Sequence, residues 1–84
     1  MKVKIFFFAG LREALGVGSE SVELPAGTGT VGALRDSLAA RGEPWSALAT
    51  TKNLRSAVNQ QMVGPEAAVK PGDEVAFFPP VTGG

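Results

Sequence analysis

Histidine, cysteine and tyrosine are all missing from this chain of 84 residues. With them go the commonest general bases, the soft metal ligands and most covalent nucleophiles. The groups that remain, Lys, Asp, Glu, Ser and Thr, are scattered along the sequence without clustering, which argues against a self-sufficient enzyme or a metal centre. Without cysteine there is no disulfide framework and no thiolate chemistry. Neither charge is in excess: 8 Lys and Arg balance 8 Asp and Glu. No basic surplus exists to neutralise a phosphate backbone, so nucleic acid is not an expected partner. No apolar run reaches membrane-spanning length. Lys2 and Lys4 ahead of Ile5 to Leu11 have the outline of a signal peptide, but Arg12 and Glu13 interrupt the run and no small-x-small cleavage site follows. The expectation is a cytoplasmic protein with no membrane association.

What is present suits one small globule. The composition is 44% hydrophobic and 19% charged, within the range of folded soluble domains and away from that of disordered chains. Polar Lys2 and Lys4 alternate with Val3, Ile5 and Phe7, which predicts a strand over 2–8. Leu11 to Leu15 predicts a short helix stopped by Gly16 and Gly18. Glu20 to Leu24 alternates again. Thr30 offers an N-cap for a long helix through Arg41, with Gly42 as its stop and Val31, Leu34 and Leu38 as its apolar stripe. Pro44 to Leu48 predicts a helical turn, with Trp45 over the core. Arg55 to Val58 and Gln61 to Val63 read as strands joined at Asn59-Gln60, and Glu74 to Phe78 reads as the last strand after the Pro71-Gly72-Asp73 turn. One long helix covering one face of a mixed four- to five-stranded sheet makes a two-layer α+β domain over 1–80, followed by a flexible tail over 81–84. Gly27-Thr28-Gly29-Thr30-Val31-Gly32 matches a dinucleotide-binding glycine pattern, yet Ala47 to Lys52 lacks the acidic residue that pattern needs downstream. A glycine-rich turn ahead of an N-cap explains it better.

Side-chain parity exposes an anomaly. A helix covers one sheet face, so the other should be polar. Lys2 and Lys4 mark that wet face in the first strand, but Phe6 and Phe8 share it; Glu74 marks it in the last strand, but Ala76 and Phe78 share it. If the two strands are neighbours, these four residues form an apolar patch, the kind of surface that monomers keep for binding. Met62 is a candidate member, its side left open by the Asn59-Gln60 turn. The competing reading is that residues 43–53 fold over the rings.

The patch would lie beside the exit of the tail. Pro79-Pro80 enforces an extended exit, and Val81-Thr82 suits an extended chain. Gly83-Gly84 then tapers to bare backbone. Five residues from Pro80 onward, at ~3.3–3.6 Å each, reach on the order of 15 Å. Such an arm is built to deliver the Gly84 carboxylate into a narrow slot. A carboxylate is a poor electrophile until an ATP-using partner converts it to an acyl-adenylate, and a Cβ at the last position would crowd the attack that follows.

The opening Lys2 to Glu13, the central Ala57-Val58-Asn59-Gln60 and the closing Gly72 to Gly84 resemble the molybdopterin synthase small-subunit family, and the likeness extends over essentially the whole chain. These are sulfur carriers with a ubiquitin-like β-grasp fold. The resemblance implies that no cofactor is bound: ATP is consumed by an E1-like adenylating enzyme, AMP is transiently attached at Gly84, and a sulfurtransferase donor converts the adenylate to a thiocarboxylate. It also implies that Val81, Thr82, Gly83 and Gly84 insert into a large synthase subunit, in a heterotetramer of two small and two large subunits. There the sulfur builds the dithiolene of molybdopterin. Partner surfaces in this family include the positions matching Phe8, Met62 and Phe78; Phe6 and Ala76 join them here by parity alone. The catalytic residues would sit on the partners. Two other readings stand beside this one: a carrier for another product such as thiamine, and a ubiquitin-like modifier joined to lysines. Nothing functional is carried onto residues 40–53.

Overall fold

In a computed structural model, which describes residues 2–25, 29–51 and 53–80, the alternating segments become strands and the apolar stripes become helices. The order is β1 (Lys2–Phe7), α1 (Gly10–Leu15), β2 (Ser19–Glu23), α2 (Val31–Ala39), α3 (Ala47–Thr50), β3 (Arg55–Val58), β4 (Gln61–Val63) and β5 (Glu74–Phe78). They form a five-stranded mixed sheet ordered β2-β1-β5-β3-β4. The first and last strands are central neighbours and run parallel, with Phe6 opposite Ala76 and Phe7 opposite Phe77. This is the ubiquitin-like β-grasp arrangement expected from the sequence.

The two main helices start and stop for local reasons. Thr30 caps α2 through its side-chain oxygen, which accepts a hydrogen bond from the Ala33 amide at 3.1 Å. The helix ends at Ala39 rather than Arg41. Its last turn tightens, with the Arg41 amide donating to Leu38 and the Gly42 amide to Ala39, and Gly42 reverses the chain at φ 90°. In α1, Leu11 and Leu15 point to the core, and Gly16 at φ 77° donates its amide to the Arg12 carbonyl. Both faces of this logic, apolar spacing and a left-handed glycine stop, were legible beforehand.

The core lies between α2 and one sheet face. Val3, Ile5, Phe7, Val75 and Phe77 from the sheet meet Val31, Leu34 and Leu38 from α2, and Leu48 from α3 fills the remaining space. Phe7 stacks on Phe77 with ring centroids 6.4 Å apart and receives Trp45 edge-on at 5.7 Å. Offset and edge-to-face pairs of this kind suit the aromatic quadrupole. Residues 43–51 therefore close the helical side of the domain and do not fold over the opposite face. Arg41 stacks on the outer side of Trp45, its guanidinium carbon 4.6 Å from the ring centre, and pairs with Glu20 at 2.8 Å. No helix among the described residues is long and apolar enough to cross a membrane.

Candidate functional site

The register of the sheet assembles the anomalous residues into one surface. Across the face opposite α2, Ser19, Phe6, Ala76, Ala57 and Met62 stand side by side on successive strands. Met62 thus belongs to the apolar face. Its parity follows from the two-residue turn at Asn59-Gln60, which seats Met62 directly opposite Ala57. Phe8 and Phe78 extend the row toward the point where the chain leaves the sheet. Phe8 is 49% exposed and Met62 57%, the two large apolar side chains most open to solvent among the described residues. Phe6, Ala76 and Phe78 are half-buried. Phe6 and Phe8 stack at 6.4 Å, and the Lys4 ammonium lies over the Phe6 ring at 5.6 Å.

These residues enclose a shallow groove of about 430 Å³. Its floor is Ala76 and Ala57, small enough to leave a depression between the flanking rings. Ala57 was not among the residues singled out from sequence. Its signal was alternation within a four-residue strand, too short to show which face was which. Gln60 and Glu74 close the end of the groove farthest from the tail exit.

Two backbone features hold the rim in place. Ala9, directly after Phe8, has φ 54° and ψ −131°, a sparsely populated conformation for a residue with a Cβ. The turn it makes is held by the Leu11 amide on the Phe8 carbonyl and the Glu13 amide on the Ala9 carbonyl. At the other end, Asn59 and Gln60 have φ 49° and 72°, both left-handed, as a two-residue type I′ hairpin requires. Asn59 ties this turn to β5. Its side-chain oxygen accepts from the Glu74 amide at 3.0 Å, and its side-chain nitrogen donates to Asp73 at 3.1 Å. The groove is a surface with its shape fixed by hydrogen bonds.

Among the described residues, the start of α2 after the glycine-rich turn offers no phosphate cradle. The α2 amides that would cradle an anion already have partners: Val31 donates to Ala67, Gly32 to Pro65 at 2.8 Å, and Ala33 to Thr30. Gly32 is required for that close approach, because a Cβ there would lie 3.1 Å from the Pro65 oxygen. Residues 26–28 lie outside the described residues. A second depression of about 380 Å³ lies at the edge between α2 and β3-β4, reaching Pro80. One of its walls is Arg35, whose Nε donates to the Leu48 carbonyl at 2.5 Å. Among the described residues no group of His, Cys, Asp and Glu is placed to hold a metal ion. Val81, Thr82, Gly83 and Gly84, the residues expected to carry the chemistry, lie outside the described residues. Pro79 and Pro80, half-buried, lead the chain off the end of β5 next to Phe78.

Known proteins resemble this chain in sequence and in fold. The molybdopterin synthase sulfur carrier subunit of Escherichia coli is 45% identical over 98% of this chain and 99% of its own length. Among solved structures, the putative molybdopterin converting factor subunit 1 of Pyrococcus furiosus has a TM-score of 0.81 and 31% identity, covering 96% of this chain and 99% of that one. The small archaeal modifier protein SAMP1 of Haloferax volcanii has a TM-score of 0.79 and 27% identity over the full length of both chains. Residues 5–84 match the ThiS family. By that match, and by an identity to a molybdopterin synthase sulfur carrier subunit that runs nearly end to end, the chain belongs to the ThiS family.

Proposed function

We propose that this protein carries sulfur for molybdopterin synthesis on its C-terminal glycine. The observation that carries the reading is the apolar face running across β1, β5, β3 and β4 to the exit of the Pro79-Pro80 arm. Exposed apolar patches of this kind commonly serve a partner, and this one lies beside Pro79 and Pro80, which supports the reading. The near-full-length identity to a sulfur carrier subunit supports the choice of cargo.

The chemistry follows from the carboxylate. A Gly84 carboxylate oxygen attacks the α-phosphorus of ATP on an E1-like partner, forming an acyl-adenylate and releasing pyrophosphate. The terminal persulfide sulfur of a sulfurtransferase donor then attacks the acyl carbon and AMP leaves; a thiol reductant cleaves the resulting acyl disulfide, which releases the Gly84 thiocarboxylate and the donor's thiol and leaves the reductant oxidised to a disulfide. Gly84, Gly83, Thr82 and Val81 enter the large synthase subunit, seated by Phe6, Phe8, Met62, Ala76 and Phe78, within an assembly of two small and two large subunits. The thiocarboxylate sulfur passes to a pyranopterin precursor, and water restores the carboxylate. The domain over 1–80 contributes presentation and docking; the catalytic groups belong to the partners, and the setting is the cytoplasm, where ATP is available.

Co-expression with the activating enzyme is expected to change the intact mass by one oxygen-to-sulfur exchange at Gly84. An unchanged carboxylate, together with a large subunit left inactive, overturns the reading. Adding one residue after Gly84 is expected to abolish sulfur transfer. The likeness to SAMP1 favours a second reading, a protein modifier. It predicts Gly84 joined by isopeptide bonds to lysines of many proteins, detectable by mass spectrometry as lysine-linked peptides that end in Val81-Thr82-Gly83-Gly84.

A further inference from the structure

The face opposite α2 is complementary to itself. On β1 and β5, which run side by side, Lys4 stands opposite Glu74 and Phe6 opposite Ala76. One level further, Phe8 comes beside Phe78, its amide donating to the Phe77 carbonyl at 3.2 Å. The three levels therefore carry a cation beside an anion, a large ring beside a methyl group, and a ring beside a ring. Within one copy the charges do not pair: the Lys4 ammonium rests over the Phe6 ring at 5.6 Å, and among the described residues Glu74 has no ion pair. Ala76 and Ala57 floor a depression beside the Phe6 ring.

We propose that this face, when no other partner covers it, pairs with a second copy of the chain about a two-fold axis parallel to β1 and β5. A rotation of that kind exchanges the two strands without moving any residue along them. β1 of one copy then lies over β5 of the other, so that side-by-side neighbours in the sheet become facing pairs between copies. Lys4 faces Glu74 of the second copy, Phe6 enters the depression over its Ala76, and Phe8 meets its Phe78, each contact occurring twice. At the flanks β2 lies over β3, where Ser19 faces Ala57 and Arg55 faces the uncharged Val17 level, so no like charges meet. An axis across the strands gives a poorer fit. It sets Phe6 against Phe6, leaves Ala76 against Ala76, and seats the Glu74 carboxylate over the Phe78 ring without a cation.

Stacked sheets keep their strands within about 30° of each other, so the match is closest at Phe6 and Ala76 and loosens outward. Four strands at ~4.8 Å, each about five residues long at ~3.3 Å, give a flat footprint on the order of 300 Å² per copy. That is well below the roughly 800 Å² per partner of a stable interface, so the dimer is weak, with a dissociation constant of about 0.1–1 mM. Such a dimer shields the apolar face yet yields it to a tighter partner. The inference rests on the shape and charge of this face and not on the cargo proposed for Gly84.

The test is sedimentation equilibrium of the full chain at concentrations from about 10 μM to about 2 mM, which span that constant. A monomer throughout overturns the inference. Lys4→Glu and Glu74→Lys each change an exposed side chain, and native circular dichroism verifies the fold. Each alone sets like charges together twice and is expected to weaken the dimer about tenfold. An equimolar mixture of the two variants is expected to recover the parent constant within about threefold, because every mixed pair regains two cation–anion contacts. A dimer indifferent to both variants, or a mixture no stronger than either variant alone, overturns the two-fold arrangement. Phe78→Asp is expected to abolish the dimer, and its persistence also overturns the inference. Addition of the large synthase subunit is expected to dissociate the dimer. A dimer that shows the charge rescue but resists the large subunit upholds the inference and overturns the docking role proposed for the face in the synthase.

Discussion

Individual side chains on this domain divide into those that stabilise it and those that face outward, and the sheet register decides which is which. Phe77 is fully buried against Phe7, while Phe78, its neighbour in the chain, lies on the opposite face beside Pro79. The two phenylalanines are chemically identical, yet their substitution has opposite consequences. Phe78→Asp is expected to leave stability within about 1 kcal/mol, as for surface changes generally, while abolishing association with the large subunit in a pull-down or by calorimetry. Phe77→Ala is expected to cost about 3–5 kcal/mol in urea denaturation, because it leaves a cavity next to Phe7. The distinction was legible as parity: Glu74 marked the wet side, and every second residue followed. Ala57 escaped because its four-residue strand carries no charge on that outer face except Arg55, and nothing in sequence told whether that arginine marked solvent or a rim.

At the scale of elements, short-range rules account for the boundaries, and the tie between β5 and the β3-β4 turn accounts for the site. Thr30→Ala removes the cap on α2 and is expected to lower stability by about 1 kcal/mol, read as a shift in the urea midpoint with an unchanged slope. Asn59 does two things at once. Its backbone accepts a left-handed turn, and its side chain bridges Asp73 and the Glu74 amide. Asn59→Ala is expected to cost about 1–3 kcal/mol by denaturation and to weaken partner binding, since Met62 and Gln60 lose their fixed position relative to β5. Asn59→Asp, which keeps the acceptor for Glu74 but loses the donor to Asp73, is expected to fall between. The Asn-Gln turn was visible in the sequence, but its clamp to a segment 14 and 15 residues away was not, because hydrogen bonds over that separation exist only once β5 lies beside β3.

For the whole molecule, the stabilising layer and the apolar outer face proposed for docking are opposite faces of one sheet. A domain this size has roughly 5–15 kcal/mol of net stability, so a single core truncation consumes a large share of it. Leu34→Ala, at the centre of α2 and fully buried, is expected to cost about 2–5 kcal/mol and to lower the thermal midpoint, while leaving the affinity of the remaining folded fraction for the large subunit unchanged. A loss of intrinsic affinity, measured well below the midpoint, would show that the two faces are coupled through the sheet.

The amino-acid sequence by itself determined the elements, the apolar stripe of α2 and the wrong-sided phenylalanines. Those depend on neighbours within one or two turns of chain, where spacing is enough. Only the tertiary structure decided that β1 and β5 lie side by side, that Met62 and Ala57 complete the same row, and that residues 43–51 close the helical side instead of the apolar outer face. Those outcomes depend on which strand hydrogen-bonds to which, and strand pairing is settled by burial of the common core between sheet and helix rather than by any local preference.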